Sequence, residues 1–182
     1  MLTLDMNSDQ GLEAELADLR RRLQLLEDER ELRTLLATYA FCADTGRSRE
    51  WVDLFTDDGA VDLGETVHAM SGGQAPVGYS RQARFQGHEE LLLDFITALP
   101  HRRVENRSAH HTTSGPLTFD IDGDDAVAHG YSVMLVRTKT GFGIEMTAVN
   151  RWIFRRVEGR WRIVERRMRP IGSSEAAQVL HS

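Results

Sequence analysis

The second half of the chain constrains the fold most. Two tight-turn signatures, Asp122-Gly123-Asp124 and Glu158-Gly159-Arg160, divide a long stretch rich in β-branched and aromatic residues. Acidic-Gly pairs of this kind close β-hairpins, because the turn that matches strand twist needs positive φ. Strands are therefore predicted over 117–121, 125–136, 141–157 and 161–169, after an earlier one over 106–113 that is interrupted at Gly115-Pro116. Strands this long must bend, and a bent sheet needs something to wrap.

The first half supplies it. From Gln10 to about Ala43 the apolar spacing is helical. Leu12, Leu16, Leu19, Leu23 and Leu26 step by four and three, as in a coiled-coil seam. The stripe loses register after Leu26 and restarts at Leu32, Leu35, Leu36 and Tyr39, which predicts two helices or one bent helix. The leucine seam fits either the protein's own body or a partner subunit. Gly46 stops the second stripe. A short helix is expected over 48–55, with Trp51, Leu54 and Phe55 on one face. A turn should follow at 56–59, then a strand at 60–63. Residues 64–80, with four glycines and Pro76, read as a long loop, in which His68 is taken as a surface residue. A strand over 79–85 and a helix over 88–99, ended by Pro100, complete the half. Helices followed by strands give an α+β class: a cone-shaped α+β barrel, its N-terminal helices packed on a strongly curved antiparallel sheet. Four segments are expected: a disordered leader at 1–8, a helical extension at 9–30, a core domain at 31–170 and a C-terminal tail at 171–182.

Composition excludes several functions. A net charge of -6 disfavours nucleic acid as a partner. The single cysteine, Cys42, rules out an internal disulfide and a cysteine-rich metal site. No apolar run approaches the ~20 residues of a membrane span. No basic-then-apolar leader is visible, so a cytoplasmic protein without a membrane partner is expected. A metal site built from His110, His111 and His129 is disfavoured, because adjacent strand residues face opposite ways.

Chemistry concentrates where the helical stretch ends. Tyr39 and Asp44 place two proton-handling groups near one mouth. The helix dipole gives a carboxylate nothing at that end, so Asp44 either points into water or is held as a base. Strand alternation puts Leu117, Phe119 and Ile121 on one face with His111. A bulge at Gly115-Pro116 would bring His110 to that face instead.

Several motifs then occur in one order: Tyr39 and Asp44 before Trp51, Leu54-Phe55-Thr56-Asp57-Asp58, His110-His111-Thr112-Thr113-Ser114, Ile121-Asp122-Gly123-Asp124-Asp125-Ala126, and Gly159-Arg160-Trp161-Arg162-Ile163. Over roughly residues 30–170 the chain resembles the SnoaL-like branch of the nuclear transport factor 2-like superfamily. That branch includes scytalone dehydratase, bile acid 7α-dehydratase and hexachlorocyclohexane dehydrochlorinase. The resemblance implies a cofactor-independent, metal-free lyase or isomerase acting on a small hydrophobic cyclic or aromatic molecule. Asp44 matches the family's aspartate and His110 its proton-abstracting histidine, although Ser114 stands where the family has Asn. Tyr39 matches a pocket tyrosine. Candidate substrate-binding residues are His111, Phe55, Met146, Asn150 and Arg167. Homo-oligomerisation, as a dimer or trimer, is expected by the same resemblance. The superfamily also resembles the non-catalytic β subunit of ring-hydroxylating dioxygenases, which implies an alternative role in ligand binding or assembly.

Overall fold

The computed structural model describes residues 6–64, 84–97, 108–112 and 117–181, with the side chains of 6–9, 108–112 and Glu145 outside that description. Helix α1 (Met6–Asp44) runs for 39 residues, about 58 Å at 1.5 Å per residue. It starts inside the expected leader and does not break where the leucine register slips. Between Gly11 and Gly46 the chain has no glycine or proline and is rich in Leu, Arg, Glu and Ala, all strong helix formers. Gly46, at φ +70°, turns the chain out of the helix. There the amides of Thr45 and Arg47 donate to the carbonyls of Phe41 (3.1 Å) and Cys42 (3.0 Å).

Helix α2 (Ser48–Val52) buries Trp51 and Val52. It ends before Phe55, which opens β1 (Phe55–Asp62). The turn expected at 56–59 is instead part of this strand, where the register against its neighbour shifts between Phe55 and Ala60. Gly59 makes that irregularity possible. A Cβ there would lie 2.8 Å from the Phe55 Cβ and 2.9 Å from the Thr56 carbonyl oxygen. Of the segment 79–99, strand β2 (Arg84–Gln86) and helix α3 (Gly87–Glu90) are described, α3 continuing as a wider π-type turn over Leu91–Ile96. That turn buries Leu91, Phe95 and Ile96. His68, most of the expected 64–80 loop, Leu99 and Gly115-Pro116 lie outside the described residues.

The remaining strands are β3 (Ser108–Thr112), β4 (Thr118–Asp122), β5 (Asp125–Thr138), β6 (Gly141–Val157) and β7 (Arg160–Pro170). The sheet order is β2-β1-β7-β6-β5-β3, with β4 also paired to β5. It is mixed rather than wholly antiparallel, because β1 runs parallel to β7. The β6–β7 hairpin turns through Glu158 (φ 50°) and Gly159 (φ 76°), the two positive φ values that a tight twisted hairpin needs. After Pro170 the chain forms α4 (Ala176–His181), which buries Val179 and packs on β6 and β7.

The half of α1 after Asp28 covers the sheet, burying Leu32, Leu35, Leu36, Tyr39 and Cys42 among Trp51, Phe55, Phe95, Trp152, Phe154, Trp161 and Ile163. The fold is therefore α+β: a long helix and short ones laid on an open mixed sheet. Among the described residues no helix is long and apolar enough to cross a membrane.

Candidate active site on the inner sheet face

Strand pleating decides which side chains face α1. On β5 these are Ala126, Ala128 and Ser132; on β6 they are Ala148, Asn150, Trp152 and Phe154, all buried. On β7 the alternation changes partway. Phe154 pairs with Ile163, but Ile153 pairs with Glu165, so Val164 is an extra residue in β7. Trp161 and Ile163 face inward before this bulge, and Arg166 and Met168 after it.

The bulge brings a charge into the core. The Arg166 side chain is only 1% exposed. Its Nε and Nη2 donate to Asn150 Oδ1 at 2.9 and 2.8 Å, and its Nη1 donates to the Tyr39 hydroxyl at 2.7 Å. Asn150 Nδ2 in turn donates to Ser132 Oγ at 2.9 Å. The guanidinium also lies 4.8 Å from the Trp152 ring centroid and 5.3 Å from that of Tyr39, within cation–π range. One helix and three strands thus converge on a fork-shaped cation. Burial pushes the Tyr39 phenol above its ordinary pKa, more than the Arg166 charge and hydrogen bond pull it down, so it stays a neutral phenol.

The residues singled out from sequence fall into three groups. Tyr39 and Asn150 meet in this network. Phe55 is buried in the aromatic cluster, 4.8 Å from Trp51 and 6.2 Å from Tyr39 between ring centroids, and Met146 is partly buried against the same core. Arg167 is not brought to the interior. It lies on the other face, with its Nε 2.5 Å from Glu165 Oε2, and Glu165 is also paired with Arg84. An alternation counted from Trp161 carries Arg167 inward; the extra residue at Val164 puts Arg166 there instead. Asp44 is the last residue of α1 and is half-buried.

His110 and His111 lie on β3, with side chains outside the described ones. Their backbone register is informative. Ala109 pairs with Leu135 and Thr112 with Val133, so the strand carries an irregularity at the two histidines, which together stand against Met134. The bulge expected at Gly115-Pro116 is outside the described residues, whereas this one falls on the histidines. Helix α1 packs along both β4 and β3. His129 is on the sheet face opposite Ala128, paired across to Arg151. Among the described residues no cluster of three His, Cys, Asp or Glu is placed to hold a metal ion.

Sequence reasoning missed Arg166 and Ser132 as parts of the network. Ser132 had a signal: the run Ala126, Ala128, Gly130, Ser132 alternates small inward residues. Arg166 had none, because a bulge inside an unbroken strand leaves no turn residue to mark it.

Known proteins are similar to this chain in sequence and fold. The SnoaL-like domain family matches residues 24–167. A nuclear transport factor 2-like protein with a cystatin-like fold from Novosphingobium aromaticivorans is 31% identical, with a TM-score of 0.73 over 91% of this chain and 96% of that one. A protein of unknown function from Mycobacterium tuberculosis is 22% identical, with a TM-score of 0.63 over 87% of each chain. A Catenulispora acidiphila protein solved in complex with S-DNPA is 18% identical, with a TM-score of 0.60 over 80% of this chain and 94% of that one. No curated protein matches. With the family match spanning most of its length and this likeness in structure, the chain belongs to the SnoaL-like domain family.

Proposed function

We propose that the protein is a cofactor-independent lyase or isomerase of the dehydratase type. His110 takes a proton from carbon and Asp44 orients the imidazole and stabilises the imidazolium that forms. The substrate is a small hydrophobic cyclic or aromatic molecule held between the end of α1 and the inner sheet face. The observation that carries this reading is the buried Arg166 network on that face. A fixed cation in a low-dielectric interior favours negative charge building on a substrate oxygen as the C–H proton leaves. Tyr39 is itself buried and accepts from Arg166, so its role here is to position that cation.

Backbone geometry supports the pairing of Asp44 with the histidines. Helix α1, which ends at Asp44, packs on β3, the strand whose irregularity holds His110 and His111. The neighbour solved in complex with S-DNPA supports ligand binding in this fold.

A second reading, a non-catalytic subunit for assembly, is favoured by one observation. Tyr39, Trp51, Phe55, Phe95 and Trp152 pack on one another and fill the part of the interior they occupy.

Proton abstraction separates the two. A panel of cyclic and aromatic carbon acids in D₂O is followed by NMR for C–H exchange or elimination. Exchange that is abolished in Asp44→Asn and in His110→Ala, both still folded, supports the lyase reading. General-base catalysis is worth ~10²–10⁴-fold, well within detection. Exchange unaffected by Asp44→Asn refutes the dyad, and an inert protein across the panel supports the assembly role.

A further inference from the structure

Among the described residues, the half of α1 before Asp28 has no cover. Leu12, Leu16, Leu19, Leu23 and Leu26 are 43% to 66% exposed. At about 100° per residue these five share one face of α1. Asp28, Leu32, Leu35, Leu36 and Tyr39, which the domain buries, lie roughly 180° from it. Among the described residues the seam therefore points away from the chain's own body as far as Leu23, and Leu26, at its end, borders a cleft with Phe119 and Ile121 of β4.

The flanking charges say what that helix is. With the leucines as the seam, the positions beside it are Glu13 and Glu15, then Arg20 and Arg22, then Glu27 and Glu29. Sign alternates by heptad. In a parallel, in-register pair each flanking residue meets the one five positions on in the other chain. Glu15 then faces Arg20 and Arg22 faces Glu27, and symmetry doubles both contacts. An antiparallel pair sets each a position against a d position, and the seam has two of one (Leu16, Leu23) and three of the other (Leu12, Leu19, Leu26), so it matches at most four of the five leucines. The parallel pair matches all five. Within each chain Arg21, on the outer side, pairs with Asp18 at 2.8 Å.

We propose that residues 12–27 form a parallel, in-register two-stranded coiled coil with a second copy of this chain. The seam ends at Leu26 because the next positions of the repeat are Arg30 and Arg33, and because Asp28 is drawn into the domain.

The test uses the full chain in analytical ultracentrifugation. The wild type is expected to sediment as a dimer, or as a species with an even number of chains. Leu16→Asp/Leu23→Asp, at exposed positions, dissociates the pair without changing the melting temperature of the domain. Arg20→Glu weakens it roughly tenfold by turning two attractive contacts repulsive, and Glu15→Arg/Arg20→Glu restores it. Leu19→Cys cross-links to its copy on oxidation; Cys42 is buried, so the wild type is the control. A monomeric wild type overturns the proposal, as does an odd number of chains or an assembly indifferent to the leucine substitutions. Further weakening by the double charge swap also overturns it, because only antiparallel pairing predicts that.

Discussion

Asp28 joins the projecting and covered halves of α1, and Asp28→Ala should be among the most damaging single changes outside the aromatic core. Its Oδ1 accepts from Arg156 Nη2 at 2.6 Å, from Trp161 Nε1 at 3.2 Å and from Gln24 Nε2 at 3.1 Å. One helix turn on, Glu31 accepts from the Trp161 amide at 3.2 Å, so the two acids clamp the β6–β7 hairpin to the helix. Removing the carboxylate loses a charge-assisted bond worth ~1.5–3 kcal/mol and strands the buried indole N–H at a further ~1–3 kcal/mol. Arg156 lowers the total, because its Nε keeps Asp124 at 3.1 Å and its guanidinium stays 4.4 Å over the Trp161 ring. Gln24 is exposed and contributes little. The net loss should be ~3 kcal/mol, which at ~2–4 °C per kcal/mol is a fall in melting temperature of about 10 °C. Urea and thermal unfolding of the full chain, beside Asp28→Asn as the isosteric control, measure it. The control keeps one acceptor and should lose about half as much. An Asp28→Ala loss under ~1 kcal/mol, or a control as damaging as the alanine, would refute the account of the clamp.

The same carboxylate sets an acid limit. Burial by itself would raise the Asp28 pKa, but hydrogen bonds from Arg156, Trp161 and Gln24 outweigh it and hold the group below the usual carboxylate range. A depressed folded-state value means stability that is complete above the unfolded value of about 3.9 and lost as pH falls through the lower folded one. The difference in urea midpoint between wild type and Asp28→Asn should thus be constant from pH 7 to 5 and narrow below pH 4; a difference independent of pH contradicts the linkage. Gly59→Ala should cost ~1–3 kcal/mol by overpacking, since its Cβ would meet the Phe55 Cβ at 2.8 Å and the Ile163 carbonyl oxygen at 3.0 Å. A midpoint equal to wild type would show that β1 can open at no cost.

What the sequence made legible follows from where each signal is local. The Asp122-Gly123-Asp124 and Glu158-Gly159-Arg160 turns are written in their own residues, and both hairpins form where expected. The helix end at Gly46 is equally local. The register slip after Leu26 was misleading, because a change of buried face resembles a break when only spacing is visible. The parallel pairing of β1 with β7 joins residues about a hundred positions apart, which no local pattern encodes. The interior arginine was hidden for another reason: the Val164 bulge is stabilised by its neighbours in β6 and β1, so Arg166 and Arg167 exchange faces without any change in composition.

That slip has a consequence for how the coiled coil relates to the site. If the leucine seam and the core stripe shared one face, α1 would have to bend to serve both. Because they lie on opposite faces, one continuous helix serves both, and the handover needs only the step from Leu26 to Asp28. From Leu26 the helix then advances about 27 Å before Asp44. A partner on the seam is thus far from the proposed proton-transfer site of either chain and contributes no group to it. Dissociating the pair should remove neither Asp44, His110 nor the Arg166 network. Leu16→Asp/Leu23→Asp is accordingly expected to exchange substrate protons at the wild-type rate per chain while sedimenting with half the mass. A rate that falls in step with dissociation would mean that the seam orders the site through the length of α1, and that the two halves of the helix are coupled rather than merely joined at Asp28.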